Sequence, residues 1–242
     1  NGSVNVSGDK SIGLLGMAYR ETPPKVDPST GKIIVPSKIV VDEFGAGAIG
    51  QGMVNIVNKG SIDLDGQGAI GMFAKNNKAG TTFTNAVALN DTTGVITTTG
   101  DKAVGMFGAG GSKVLNNTNG TIIVGKEAVA LYGVNKLGTS TLGDKTISLV
   151  NKGKITAISG KESPYGIYAK NDLGLATRAN AKVTNEGTID FTSAKKSIGA
   201  YVEDATLINT GKMLVGEEGV GIFSKNSDVT SSGDVTLTKK AI

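Results

Sequence analysis

Leu207-Ile208-Asn209-Thr210-Gly211-Lys212-Met213-Leu214-Val215, followed by Gly219-Val220-Gly221-Ile222-Phe223, is the shortest complete statement of a pattern that fills the chain. The next glycine of the same kind, Gly233, follows Gly211 by 22 residues. Three features define the unit. A small polar residue precedes the glycine, aliphatic residues stand two and four positions after it, and a glycine-centred segment ending in an aromatic closes the repeat. Alternation of period two after a glycine turn is the mark of a short strand with one buried face.

The anchor glycines are Gly2, Gly60, Gly94, Gly120, Gly153, Gly187, Gly211 and Gly233. Two residues on stand Val4, Ile62, Ile96, Ile122, Ile155, Ile189, Met213 and Val235. Upstream, an apolar residue, any residue and a small polar one run from Ile56 to Asn58, Leu89 to Asp91, Leu115 to Asn117, Leu149 to Asn151, Val183 to Asn185, Leu207 to Asn209 and Val229 to Ser231. The closing segment recurs as Ala69-Ile70-Gly71-Met72-Phe73, Ala103-Val104-Gly105-Met106-Phe107, Ala128-Val129-Ala130-Leu131-Tyr132 and Ser197-Ile198-Gly199-Ala200-Tyr201. Pro164-Tyr165-Gly166-Ile167-Tyr168 keeps the same frame.

Three short strands in a repeat of this size match one triangular coil of a parallel β-solenoid, each coil hydrogen-bonding to the next at about 4.8 Å. The fold expected is therefore all-β, a β-helix of about seven coils. Long coils with three unequal segments favour the right-handed form. A left-handed solenoid needs a hexapeptide period and a β-propeller needs blades of about 40 residues, and the spacing fits neither.

Length variation is concentrated. From each anchor to the small residue at the centre of the closing segment there are 10 to 13 residues, whereas from there to the next anchor the distance runs from 12 to 47. The insertions are thus expected at one corner of the rod, the face on which repeat proteins commonly carry function. The largest, 18–52, holds Pro23, Pro24, Pro28 and Pro36, and two apolar runs, Lys32 to Val35 and Ile39 to Val41, that would make a projecting β-hairpin. Its aromatic and charged residues, Tyr19, Arg20, Lys25, Lys32, Lys38, Glu43 and Phe44, are the candidate partner contacts, since Tyr, Phe and Arg dominate interface energetics.

Composition narrows the function. Cys, His and Trp are absent, which removes disulfides, zinc sites built on Cys or His, and nucleophile–histidine catalysis. Net charge is +4 with the signs interspersed, and only Arg20 and Arg178 are arginines, so no nucleic-acid surface is expected. No apolar run approaches the roughly 20 residues of a membrane span, and no leader peptide is read at Asn1. The best carboxylate set for a glycan hydrolase, Asp63, Asp65 and Asp190, does not recur in register. Catalysis, cofactors and metals are not expected.

Two columns carry the remaining chemistry. Asn58, Asp91, Asn117, Asn151, Asn185 and Asn209 form an expected ladder of stacked side chains at a turn, with Asp91 needing a donor or cation beside it. The aromatics Phe73, Phe107, Tyr132, Tyr168, Tyr201 and Phe223 are expected at a corner or beneath the inserted loops, with Ile70, Met72, Val104, Met106, Ile198 and Val220 facing the core.

The phrases Asn58-Lys59-Gly60-Ser61-Ile62-Asp63-Leu64, Ala69-Ile70-Gly71-Met72-Phe73-Ala74-Lys75-Asn76 and Tyr165-Gly166-Ile167-Tyr168-Ala169-Lys170-Asn171 resemble the repeats of the very large type Va autotransporter adhesins of fusobacteria. The resemblance covers the chain outside the first insertion. It implies a β-helical passenger segment exposed on the bacterial cell surface, attached through an outer-membrane barrel outside this chain. It also implies adhesion, with a host cell-surface receptor or glycan, or a surface protein of another bacterium, as partner. The segment is expected to be monomeric and not itself membrane-inserted. The alternatives are a pure stalk with recognition elsewhere and, further off, a polysaccharide-active β-helix.

Overall fold

The computed structural model describes residues 2–18, 47–50, 54–76, 86–135, 146–172, 180–238 and 240–242. Strands β1 (Ser3–Val6), β2 (Ile12–Ala18) and β3 (Gly47–Gly50) lead in. Three-strand coils follow. They are β4 (Val54–Asn58), β5 (Ser61–Leu64) and β6 (Ile70–Asn76), then β7 (Ala86–Asn90), β8 (Val95–Thr98) and β9 (Val104–Ala109). Next come β10 (Ser112–Asn116), β11 (Thr121–Val124) and β12 (Val129–Asn135), then β13 (Ile147–Asn151), β14 (Lys154–Ala157) and β15 (Tyr165–Asn171). The last are β16 (Ala181–Asn185), β17 (Thr188–Phe191) and β18 (Ile198–Glu203), β19 (Thr206–Asn209), β20 (Lys212–Val215) and β21 (Val220–Lys225), and finally β22 (Asp228–Ser231) and β23 (Val235–Leu237).

Every third strand stacks in parallel on its counterpart in the next coil, giving three sheets. The first runs β1-β5-β8-β11-β14-β17-β20-β23, the second β4-β7-β10-β13-β16-β19-β22, and the third β3-β2-β6-β9-β12-β15-β18-β21. The fold is a right-handed parallel β-helix. Within the segment 18–52, Gly47–Gly50 returns to the stack as β3, paired in parallel with β2, so this part of the expected insertion belongs to the rod. The expected hairpin lies outside the described residues.

From Gly60 onward the anchor glycines form a column in which a Cβ would collide with its neighbours. A Cβ on Gly187 would fall inside the carbonyl oxygen of Gly153, and one on Gly211 inside that of Gly187. Inward positions two and four after the anchors from Gly60 to Gly211, such as Ile62 and Leu64 or Ile122 and Val124, are buried, whereas Val235 and Leu237 in the last coil are 39% and 42% exposed. Burial of each such side chain is worth about 1.5–3 kcal/mol.

The asparagine ladder is continuous and buried, but it takes a different path from the expected one. Asn58 Nδ2 donates to Asn90 Oδ1 at 2.8 Å, Asn90 to Asn116 at 2.8 Å, and Asn116 to Asn151 at 2.9 Å. Asn151 donates to Asn185 and Asn185 to Asn209, each at 2.8 Å, and Asn209 ends the row on Ser231 Oγ at 3.0 Å. Asn90 and Asn116 stand where Asp91 and Asn117 were expected. The reason is turn length: two residues join ladder and anchor strand in Asn58-Lys59-Gly60-Ser61, but four, Asp91–Gly94 and Asn117–Gly120, do so in these two coils. Leu89 and Leu115 stand at the outward, half-buried positions of these strands. Ala88 and Val114 are the buried residues instead. Asp91 and Asn117 make their own pair beside the ladder, Asn117 Nδ2 donating to Asp91 Oδ1 at 3.2 Å. The Thr92 amide, then Asn117, holds the Asp91 carboxyl below its ordinary range.

The turn from first to third sheet puts a residue in the left-handed region in each coil, among them Lys102 at φ 60°, Glu127 at 53° and Lys196 at 52°. The residue before it alternates in sign up the stack: Asp101, Lys126, Glu162, Lys195, Glu217. Lys126 pairs with Asp101 at 3.4 Å and Lys195 with Glu217 at 3.0 Å.

Asn116→Ala strands the Asn90 amide and the Asn151 carbonyl inside the ladder and is expected to cost about 2–3 kcal/mol. Asn117→Ala, outside the ladder, should cost under about 1 kcal/mol. Urea unfolding of the two variants separates them. Gly187→Ala is expected to destabilise by about 3 kcal/mol in the same assay, because the clash is with backbone and cannot relax by a rotamer change.

Candidate functional site

The three corners of the rod differ. Second-to-first turns take two to four residues and first-to-third turns four to seven. At the third-to-second corner the connection shrinks to two residues at Gly110-Gly111, Asp204-Ala205 and Asn226-Ser227, while residues 77–85, 136–146 and 172–180 also join a third-sheet strand to a second-sheet strand. Residues 19–46 instead join β2 to β3 within the third sheet, leaving after Ala18 at this corner and re-entering at Gly47, opposite Leu15. Three of the four long connections thus span one corner, and the fourth leaves from it. The candidate contacts Tyr19, Arg20, Lys25, Lys32, Lys38, Glu43 and Phe44 lie outside the described residues. A smaller part of the length variation, the two extra residues before Gly94 and before Gly120, belongs to the second-to-first corner.

The carboxylates weighed for hydrolysis do not converge. Asp63 and Asp190 share one outward column of the first sheet, through Thr97, Ile123 and Thr156, which sets them four rungs apart, about 19 Å. A glycosidase pair needs roughly 5–9.5 Å. Among the described residues no group of three or more acidic side chains could hold a metal ion. A shallow polar groove of about 800 Å³ follows the second-to-first corner, floored by Gly153, Gly187, Gly211 and Gly233. Of the charged residues that line it, Lys152 pairs with Glu186 at 3.2 Å.

The third sheet gives the rod its chemical character. Its strands break strict alternation: in β9 and β12 two successive residues, Gly105-Met106 and Ala130-Leu131, both face inward. The small residue occupies the bend, where a Cβ on Gly166 would sit 2.5 Å from the Gly199 carbonyl oxygen. Met72 and Met106 accordingly fill the core, as expected. Ile70, Val104, Ile198 and Val220 do not, and lie half-buried on the outer face beside the aromatic column.

That column is an unbroken ladder on the outside of the rod. Ring centroids are separated by 5.0 Å from Phe73 to Phe107, 4.8 Å to Tyr132, 5.1 Å to Tyr168, 4.6 Å to Tyr201 and 5.1 Å to Phe223. Tyr168, Tyr201 and Phe223 are within 6° of parallel. Rings this close and this parallel cover one another's faces, so inside the ladder they present edges and hydroxyls outward. The second sheet adds an outward, mainly apolar column, Val57, Leu89, Leu115 and Val150, then Thr184, then Ile208, with Val57 41% and Ile208 47% exposed. The corner that bears the insertions is therefore flanked on both sides by apolar faces.

One polar cluster interrupts the third sheet at its border with that corner. Glu203, only 9% exposed, accepts from Tyr201 Oη at 2.9 Å and from Lys225 Nζ at 2.9 Å. Lys170 lies 3.8 Å from Glu203 and 3.2 Å from Asp172. Lys225 and then Tyr201 hold the Glu203 carboxyl below the usual range. Burial, then the bond to Glu203, pushes the Tyr201 phenol up to about 12, and burial raises Tyr168 and Tyr132 as well. Nothing local in the sequence marks this cluster, since Lys170, Glu203 and Lys225 meet only because their strands stack in register.

Because the folded-state pKa of Glu203 lies below that of the unfolded chain, its contribution to stability is present above the unfolded value and lost as pH falls through the folded one. Glu203→Gln is expected to lower stability by about 1 kcal/mol at neutral pH, the lysine partners being solvated. The gap from the parent should close below about pH 4, as followed by urea unfolding across pH.

Compared with known proteins, the chain matches the family model of the BigA third pectate lyase-like domain over residues 79–202. No curated protein and no solved structure matches it. The matched stretch runs from within the segment after β6 to Val202 in β18, so it takes in four successive stacked strands of each sheet and stops one residue short of Glu203. With just over half of its length matched and a three-sheet parallel β-helix throughout the described residues, the chain belongs to the family of the BigA third pectate lyase-like domain.

Proposed function

We propose that this β-helix is a rod segment of a bacterial surface adhesin, and that it binds its partner at the third-to-second corner. The observation that carries the reading is that three of the four long connections span that one corner and the fourth leaves from it, between two largely apolar outer faces, while the other two corners are closed by short turns. A stalk needs only uniform coils. Insertions placed at random would appear at all three corners, and a loop-bearing edge on a rigid scaffold is how repeat proteins present recognition surfaces.

The partner fitting this surface is a host cell-surface receptor or glycan, or a surface protein of another bacterium. Capture without turnover agrees with Asp63 and Asp190 standing four rungs apart and with the absence of histidine and cysteine. Anchoring through an outer-membrane barrel elsewhere in the polypeptide, and a fusobacterial type Va origin, complete the proposal. Among the described residues no helix is long and apolar enough to cross a membrane.

Removal of residues 23–43, within the segment between β2 and β3, leaves both flanking strands in place. The variant is expected to keep the circular dichroism of the parent and to lose binding to glycan arrays and to host or bacterial cells. Unchanged binding would move recognition away from this insertion, and absence of binding by the parent chain would return the segment to the role of a spacer.

A further inference from the structure

We propose that Tyr168 and Tyr201 form an oxidative cross-link site, at which a diffusible one-electron oxidant joins two neighbouring coils through a dityrosine bond. The chain has no cysteine, tryptophan or histidine, so tyrosine and methionine are its most oxidisable side chains. Met72, Met106 and Met213 are sealed in the core, whereas Tyr168 and Tyr201 stand half-exposed on the outer face of the third sheet.

Geometry singles out this pair. Tyr168 and Tyr201 are register partners on parallel strands, with ring centroids 4.6 Å apart and planes 6° from parallel. The two rings therefore lie face to face on adjacent rungs of the third sheet. The neighbouring pairs are poorer: Tyr132 and Tyr168 are 5.1 Å apart but tilted by 55°, and Tyr165 meets Tyr168 edge-on at 6.1 Å. Tyr201 also has a proton acceptor in place, its hydroxyl donating to Glu203 Oε2 at 2.9 Å.

The chemistry balances with two equivalents of oxidant. The first takes one electron from Tyr201 while the phenolic proton passes to the Glu203 carboxylate and on to solvent. The second takes one electron from Tyr168, whose phenolic proton leaves to solvent. The two radicals pair their unpaired electrons in one carbon–carbon bond between ortho positions. Each ortho hydrogen then shifts as a proton to its own phenol oxygen and restores the aromatic rings. The chain loses two electrons and two protons, and each oxidant equivalent is reduced by one electron. The product is a covalent tie between β15 and β18, which restricts the unfolded chain as a disulfide would in a protein that has none.

The test is photo-oxidation of the intact chain with ruthenium tris-bipyridyl and persulfate, read by dityrosine fluorescence, intact mass and peptide mapping. The expected product is monomeric, lighter by two hydrogen atoms, with the peptides of Tyr168 and Tyr201 joined and a urea midpoint shifted upward. Tyr168→Phe and Tyr201→Phe should each lose the cross-link, while Tyr132→Phe should keep it. Phenylalanine already occupies this column at Phe73, Phe107 and Phe223, so these variants retain the stack. Glu203→Gln should form the bond more slowly, and an unchanged rate would overturn the role of Glu203 as proton acceptor. Cross-linking that persists in Tyr201→Phe, that maps to Tyr132 or between molecules, or that fails in the folded parent would overturn the proposal.

Discussion

Among the described residues every strand pairs with strands of neighbouring coils, on both sides except at the ends of the three sheets, and none pairs within its own coil. From that single constraint the rest follows. Equivalent residues are forced to stand about 4.8 Å apart in columns, so each column must tolerate its own kind as nearest neighbour. Amides do so by donating along the row from Asn58 to Ser231. Aromatic rings do so by overlapping, and glycines by leaving room for the carbonyl of the coil before. Charges do so only by alternating.

The same constraint explains how chemistry is distributed over the surface. The first sheet presents threonine, lysine and aspartate outward, while the third presents aliphatic and aromatic columns, and the second a narrower aliphatic one. The corner between the second and third sheets is where the chain departs from the rod in all four long connections. Any molecule held by the departing segments also meets flat, rigid apolar edges, which add contact area with little loss of side-chain entropy because the rings are already locked by their neighbours.

Much of the architecture was legible because the constraint writes itself into the sequence as repeated glycine, asparagine and aromatic positions. Gly60, Gly153, Gly187 and Gly211 mark their strands without ambiguity. The errors have local causes. Asp91 and Asn117 stand in the expected ladder in place of Asn90 and Asn116 because two turns carry two additional residues and Leu89 and Leu115 supply an apolar residue two positions before them. Ile70 and Val104 were read as core because a bend at Gly71 and Gly105 breaks the period of two, which pattern alone cannot register. The Glu203 cluster joins residues 22 and more positions apart and depends on register across coils, a quantity that no single repeat contains. The contact residues of the first insertion had no column to constrain them at all.

The alternation of Asp101, Lys126, Glu162, Lys195 and Glu217 at the first-to-third turn has a consequence for how such a rod can change length. Excising one coil from this stretch would bring like charges onto adjacent rungs. Excising two neighbouring coils restores the alternation and leaves the glycine and asparagine columns equally intact. The turn thus imposes an even-number rule, and shortening or lengthening by pairs is the change that this corner accepts.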